Sequence, residues 1–118
     1  MKRALIAAIA AAVIAGSASR AHAYGMTCNE FAAAVTSGDA QLQGLAVGYV
    51  VGAIDYLAGL ICFVGNSQCG CLQNLVKGNP SGVGNAVGTQ VGNCITSGNG
   101  DQAAFGPVSR AARQSCPF

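Results

Sequence analysis

Residues 40–63 read AQLQGLAVGYVVGAIDYLAGLICF, a long apolar stretch in which Asp55 is the only charged side chain. At about 100° per residue, a helix over this stretch collects several glycines and Asp55 on one narrow stripe. The glycines are Gly44, Gly48, Gly52 and Gly59. Each glycine inside a helix costs about 0.5–1 kcal/mol relative to alanine, so an aligned row predicts close approach of another backbone. The stretch therefore predicts a long helix in an all-α fold, with another segment packed on its glycine stripe.

Helix-capping residues predict where this helix and its upstream neighbour begin. Thr27-Cys28-Asn29-Glu30 has the S/T-x-x-E form of a capping box, which predicts a first helix that runs through Val35. Thr36-Ser37-Gly38-Asp39 then breaks the pattern. Either Ser37 or Asp39 can cap the long helix.

Three more elements are predicted downstream. Residues 68–77 form a short helix that Gly78-Asn79-Pro80 terminates. Residues 81–95 repeat glycine at every fourth position with valines between. This pattern fits either a glycine-seamed helix docked on the long helix or a flexible glycine-rich loop. A closing helix is predicted to follow Asp101, as its cap, and to run to Cys116.

The N-terminus has the pattern of a secretory signal peptide. Met1-Lys2-Arg3 is basic, residues 4–16 are apolar, and Ala21-His22-Ala23 is an A-x-A cleavage site. The apolar run is shorter than the roughly 20 residues that span a bilayer, which favours cleavage over a retained anchor. We therefore predict a cleaved signal peptide at 1–23, a single helical domain at 24–118, and a location in the periplasm or outside the cell.

Cleavage changes the charge of the chain and removes its only histidine, His22. The mature domain keeps three basic and four acidic residues, for a net charge of −1. Without a basic surplus, nucleic-acid binding is excluded. Without histidine, the Ser-His and Cys-His nucleophile pairs and the commonest metal ligand are lost. We therefore expect no enzyme activity, no catalytic residue and no cofactor.

Six cysteines remain after cleavage, and an even number in an exported chain of this size predicts three disulfides. The cysteines are Cys28, Cys62, Cys69, Cys71, Cys94 and Cys116. Six cysteines can pair in 15 different ways, and the sequence does not choose among them. Cys69-Gly70-Cys71 also fits a thiol-exchange or soft-metal site, but three structural bridges account for every cysteine at once. The sequence thus predicts a small disulfide-stapled helical bundle without a metal site.

Residues 48–57, GYVVGAIDYL, resemble a family signature. The pattern G-Y-x-x-G-x-x-D, formed here by Gly48, Tyr49, Gly52 and Asp55, is similar to the central motif of the Rap/Tai family of small periplasmic immunity proteins. The resemblance implies a helical protein that neutralises a type VI secretion amidase effector by protein–protein contact. Asp55 itself has two interpretations: it anchors a partner, or it accepts hydrogen bonds from Tyr49, Tyr56 or a neighbouring helix end.

Two other hypotheses compete with this one. Residues 27–31 and 107–117 resemble the cysteine-bearing ends of the HdeA-type periplasmic acid chaperones, which implies a chaperone that acts at low pH. Residues 42–64 are long enough for a membrane span with G-x-x-x-G spacing. No basic residue flanks them before Lys77, however, and Asp55 would lie near mid-bilayer, so we do not expect insertion. We expect a protein partner, with an amidase effector as the candidate, and the sequence leaves a homodimer open as well.

Overall fold

Five α-helices form most of residues 25–118, the part of the chain that the computed structural model describes. They are α1 (Cys28–Thr36), α2 (Ala40–Phe63), α3 (Cys69–Gly78), α4 (Pro80–Thr96) and α5 (Phe105–Ser115). No strand forms within these residues, and an isolated antiparallel bridge joins Thr27 to Ala103. The predicted all-α fold is confirmed, whereas the signal peptide predicted at 1–23 lies outside the described residues.

Side-chain caps fix the starts of α1 and α2 at the predicted positions. Thr27 Oγ1 accepts a hydrogen bond from the Glu30 amide at 3.1 Å, and Glu30 Oε1 accepts one from the Thr27 amide at 2.9 Å. Asp39 Oδ1 accepts hydrogen bonds from the amides of Gln41 and Leu42 at 2.8 and 3.3 Å. These bonds satisfy amides that a helix leaves unpaired in its first turn, so both predicted starts are confirmed.

The glycine-rich segment is a helix, α4, and not a loop. Asn79 Oδ1 accepts a hydrogen bond from the Gly82 amide at 3.1 Å, and Pro80 lies in the first turn, where its missing N–H is no loss. One face of α4 is buried, and it carries Val83, Val87 and Val91. Burial of these valines offsets the poor helix propensity of the glycines.

The glycines of α4 do not dock it on α2. Gly84 and Gly88 are exposed, and no Cα atom of α4 lies within 8 Å of a Cα atom of α2. α4 packs instead against α1, α3 and α5. Glycine has no side chain to remove from water, so the helix buries its valine face. The predicted glycine-mediated docking is wrong.

The start of α5 also differs from the prediction, because Asp101 does not cap it. The helix begins after Ala104, which makes no side-chain capping bond. The residues before α5 lie along the start of α1: the Cys28 amide donates to the Gln102 carbonyl at 2.9 Å, and the Ala104 amide donates to the Met26 carbonyl at 2.7 Å. These backbone bonds hold residues 102–104 against the start of α1, so α5 begins only after them.

The core lies between the inner face of α2 and the helices that pack against it, α1, α3 and α5. The inner face carries small and aliphatic side chains, among them Ala46, Ala53, Ile54, Leu57, Ala58 and Ile61. From α5, Val108, Ala111 and Ala112 are buried in the same cluster. Burial of apolar area at about 25 cal/mol per Å² holds these helices together. This burial of apolar area also determines which face of α2 remains exposed to solvent.

All six cysteines pair, as predicted. The bridges are Cys28–Cys94, Cys62–Cys69 and Cys71–Cys116. The first joins α1 to α4, the second closes the turn between α2 and α3, and the third ties α3 to the chain after α5. Each bridge typically adds about 2–4 kcal/mol by restricting the unfolded chain. The five helices are thus cross-linked into one unit.

Candidate protein-binding surface

The glycine stripe of α2 points into solvent. Its glycines are exposed, and a Cβ atom built on any of them would meet nothing within 4 Å beyond its own stretch of helix backbone. The stripe consists of Gly44, Gly48, Gly52 and Gly59. The prediction that another segment packs on this stripe is therefore wrong for residues 25–118. The physical reason is that the opposite face of α2, with its alanines, isoleucines and leucines, has more apolar area to bury.

Large apolar side chains beside the stripe are exposed as well. Phe63 is 91% exposed and Tyr56 is 59% exposed. We call the combined surface the outer face of α2, which consists of Gly44, Leu45, Gly48, Gly52, Asp55, Tyr56, Gly59, Leu60 and Phe63. Contiguous exposed apolar surface is uncommon on soluble monomers and marks sites of interaction. The outer face of α2 is therefore the candidate binding surface.

Tyr49 is the one residue of the family-like signature that turns inward; the other three lie on the outer face of α2. Its ring lies edge-on to that of Phe31, with centroids 6.3 Å apart and ring planes at 61°. Gly25, with φ of +76°, passes so close that a Cβ atom there would lie 2.6 Å from Cε1 of Tyr49. Burial raises the pKa of the half-buried Tyr49 phenol above its ordinary value of 10.0. Tyr49 therefore positions the chain ahead of α1.

Asp55 is exposed and is the only charged side chain of the outer face of α2. Neither tyrosine predicted as its donor forms that bond: the ring of Tyr49 packs against Phe31, and the ring of Tyr56 lies edge-on to Phe105 at 6.0 Å between centroids. No residue between 25 and 118 donates a hydrogen bond to the Asp55 carboxylate. The carboxylate keeps its full capacity to accept hydrogen bonds from outside the chain.

The Cys69-Gly70-Cys71 motif does not form a single redox pair. Cys69 is bonded to Cys62 and Cys71 to Cys116. Across the described part of the chain no cysteine is free, and no group of three His, Cys, Asp or Glu side chains is placed to hold a metal ion. Both cysteines are accounted for by structural bridges.

A groove between α2 and α4 was not predicted from the sequence. Its volume is about 500 Å³, and valines from α1, α2, α3 and α4 line most of it. We call it the valine groove. The repeat of Val83 and Val87 was a signal for it, because buried valines at every fourth residue require an apolar neighbour. That repeat does not say whether the neighbour is another helix or a cavity.

α2 also passes the test of length and composition for a membrane-crossing helix. It has 24 residues, and 33% of its apolar window is buried in the bundle. The core helix of a soluble protein passes the same test. Length and composition alone therefore do not show that α2 crosses a membrane.

Comparison of the chain with protein-family models, with curated proteins and with solved structures found no match in any of the three.

Proposed function

We propose that this protein is exported, is not an enzyme, and inhibits a cell-wall amidase effector by binding it through the outer face of α2. The observation that supports the proposal is the composition of that face. Exposed apolar side chains flank a glycine stripe, and one carboxylate lies among them. A partner that removes such a surface from water gains free energy from the apolar area alone.

The glycine stripe allows a partner to approach closely. Since Gly48 and Gly52 carry no Cβ atom, a partner backbone or side chain can reach the axis of α2 more closely than on an alanine or leucine face. Tyr56 and Phe63 are exposed beside the stripe, and aromatic residues are enriched in protein–protein interfaces. Close approach along the stripe and aromatic contact beside it favour a protein partner.

Asp55 gives this surface its selectivity. A carboxylate that is covered without a donor is costly, so a partner must supply a basic side chain or amide groups opposite it. A partner with an acidic group at that point is rejected by charge repulsion. The apolar residues thus provide affinity, and Asp55 restricts which partners can use it.

The disulfides support a binding role as well. Cys62–Cys69 ties the end of α2, which carries Phe63, to the start of α3. A surface that is already ordered before binding loses little conformational entropy when the partner arrives. Three bridges within one small domain are also typical of proteins that work in an oxidising compartment.

The resemblance of residues 48–55 to the Rap/Tai signature suggests the class of partner. An immunity protein must reside where the effector acts, and a cell-wall amidase acts outside the cytoplasm. The export pattern of residues 1–23 and the disulfides agree with that location. An amidase effector is therefore the partner that we propose.

The test is a calorimetric titration of the oxidised protein with type VI secretion amidase effectors, together with an assay of their amidase activity. Gly48→Leu places a bulky side chain on the outer face of α2, where space is open. It is expected to weaken binding by about tenfold or more, since it blocks close approach. Gly70→Leu is the matched control, because Gly70 is exposed in α3 with equally open space. Failure to bind any effector, or equal binding by both variants, would overturn the proposal.

A second candidate function, membrane association, is favoured by one observation, the exposed apolar surface of α2. It predicts that the protein stays with vesicles after a carbonate wash, and that Phe63→Ser releases it. A protein that remains soluble with vesicles present would exclude this alternative and leave the protein-binding proposal intact.

A further inference from the structure

The valine groove is formed because α2 and α4 are not in contact. α1 contacts both helices, and its Phe31 and Val35 line the groove between them. With no Cα atom of α2 within 8 Å of α4, the space between the two helices is wider than a normal helix–helix contact. Its volume, about 500 Å³, lies in the range of small-molecule sites.

The chemistry of the walls selects an aliphatic occupant. Among the described residues that line the groove, Gln43 has the only polar side chain. Its amide nitrogen is already engaged, because it donates to the backbone carbonyl groups of Val35 and Ser37. A polar ligand would find only the Gln43 amide oxygen here to replace its hydrogen bonds to water, whereas a hydrocarbon chain would lose none.

The size of the groove suits a small apolar molecule. A volume of about 500 Å³ lies within the range of small-molecule sites. A single hydrocarbon chain is thin and flexible enough to follow the space between α2 and α4.

A basic residue is the sequence neighbour of a residue that lines the groove. Lys77 is exposed and directly follows Val76, so its long, flexible side chain is within reach of the edge of the groove. It is the only basic residue of the chain between residue 25 and Arg110. A flexible ammonium group at the edge of an apolar groove complements a carboxylate head group whose chain lies inside.

From this combination we propose that the valine groove binds a long-chain fatty acid, with the hydrocarbon chain between α2 and α4 and the carboxylate at Lys77. The proposal is independent of the amidase partner, because the groove and the outer face of α2 have no residue in common. Either proposal can therefore fail without the other.

The groove is tested with the secreted, oxidised protein and a fluorescent fatty acid, parinaric acid, displaced by palmitate. The chain contains no tryptophan, so the probe is read without interference. Gly88→Leu fills the groove from α4, where a Cβ atom meets nothing within 4 Å, and is expected to weaken palmitate binding by about tenfold or more. Gly92→Leu is the matched control on the same helix, since its Cβ space is also open and it does not line the groove.

The head group is tested by comparing palmitate with hexadecanol. Lys77→Gln is expected to weaken the binding of palmitate by several-fold. It should leave the binding of hexadecanol unchanged, because the alcohol has no charge to pair. Circular dichroism and thermal unfolding establish that each variant is folded, and Gly84→Leu replaces Gly88→Leu should that variant fail to fold. The proposal is overturned if the wild-type protein does not bind palmitate, if the filled variants bind it as well as Gly92→Leu, or if Lys77→Gln affects acid and alcohol equally.

Discussion

Tyr49 of α2 and Phe31 of α1 pack edge-to-face, with ring centroids 6.3 Å apart. This pair connects the helix that carries the outer face to the helix that forms the floor of the valine groove. The Tyr49 hydroxyl belongs to a half-buried ring, and burial disfavours its ionised form. Burial of this ring therefore predicts that stability depends on alkaline pH.

The free energy of unfolding should fall at alkaline pH because of Tyr49. Its pKa in the folded protein is raised above the ordinary value of 10.0, so its contribution to stability is complete below pH 10. As the pH rises through the folded pKa, that contribution is lost. Urea unfolding from pH 9 upward should show a smaller decline for Tyr49→Phe than for the wild type. Equal declines would contradict the assignment.

Gly25→Ala should destabilise the protein more than Gly65→Ala. Both glycines have φ near +75°, so both substitutions carry the cost of the left-handed conformation, about 1 kcal/mol. Only Gly25 also faces a side chain, since its Cβ atom would press on the ring of Tyr49. Chemical denaturation of the two variants isolates this contact. A Tyr49→Ala background should abolish the difference between them.

Removal of a disulfide should lower the free energy of unfolding by more when the loop that it closes is longer. Replacing Cys71 and Cys116 by serine opens a sequence separation of 45 and should cost about 4 kcal/mol. Replacing Cys62 and Cys69 opens a separation of 7 and should cost about 2.5 kcal/mol. Denaturant unfolding of the two double variants gives the comparison. A larger loss for the shorter loop would show that the chain-entropy account does not apply here.

Substitution of cap residues should separate the two caps that form hydrogen bonds, Asp39 and Asn79, from Asp101, which was predicted as a cap and is not one. Asp39→Ala and Asn79→Ala each remove a side chain that accepts first-turn amide hydrogen bonds, and each should cost about 1 kcal/mol. Asp101→Ala should change stability by less than about 0.5 kcal/mol, because α5 does not use it as a cap. Thermal and urea unfolding measure all three. A cost at Asp101 similar to that at Asp39 would contradict the described start of α5.

Reversal of charge on the outer face of α2 should affect binding and not folding. Asp55→Lys places a cation where we propose that the partner supplies donors, and should weaken the complex by about 2 kcal/mol or more. Its free energy of unfolding should stay within about 0.5 kcal/mol of the wild type, since Asp55 is exposed. Asp101→Lys, on an exposed residue outside that face, is the control. Equal effects of the two variants on binding would argue for a general charge effect.

Sequence reasoning was sufficient where the signal is local. The Thr27–Glu30 box and Asp39 fix helix starts through bonds to residues two or three positions away, and such bonds can be read from spacing. The start of α5 could not be predicted in this way. The residues before it are held by backbone bonds to Met26 and Cys28, which are far away in the sequence.

The candidate surface was only half predictable. Periodicity correctly placed Gly48, Gly52 and Asp55 on one face of α2, but it does not state whether a face is turned inward or outward. That choice depends on how much apolar area each face offers to the rest of the bundle, which is a property of the whole fold. The valine groove was missed for the same reason, because a space between two helices has no pattern of its own.

The first and third disulfides overlap in the sequence, because Cys71 lies between Cys28 and Cys94 while its partner, Cys116, lies beyond both. In the proposed export, the chain enters an oxidising compartment from its N-terminal end, and Cys62 arrives long before Cys94. Oxidation in order of arrival would trap Cys28 with the wrong partner. Maturation of this protein therefore calls for thiol–disulfide isomerisation, and its yield in a heterologous host should rise when a disulfide isomerase is co-expressed.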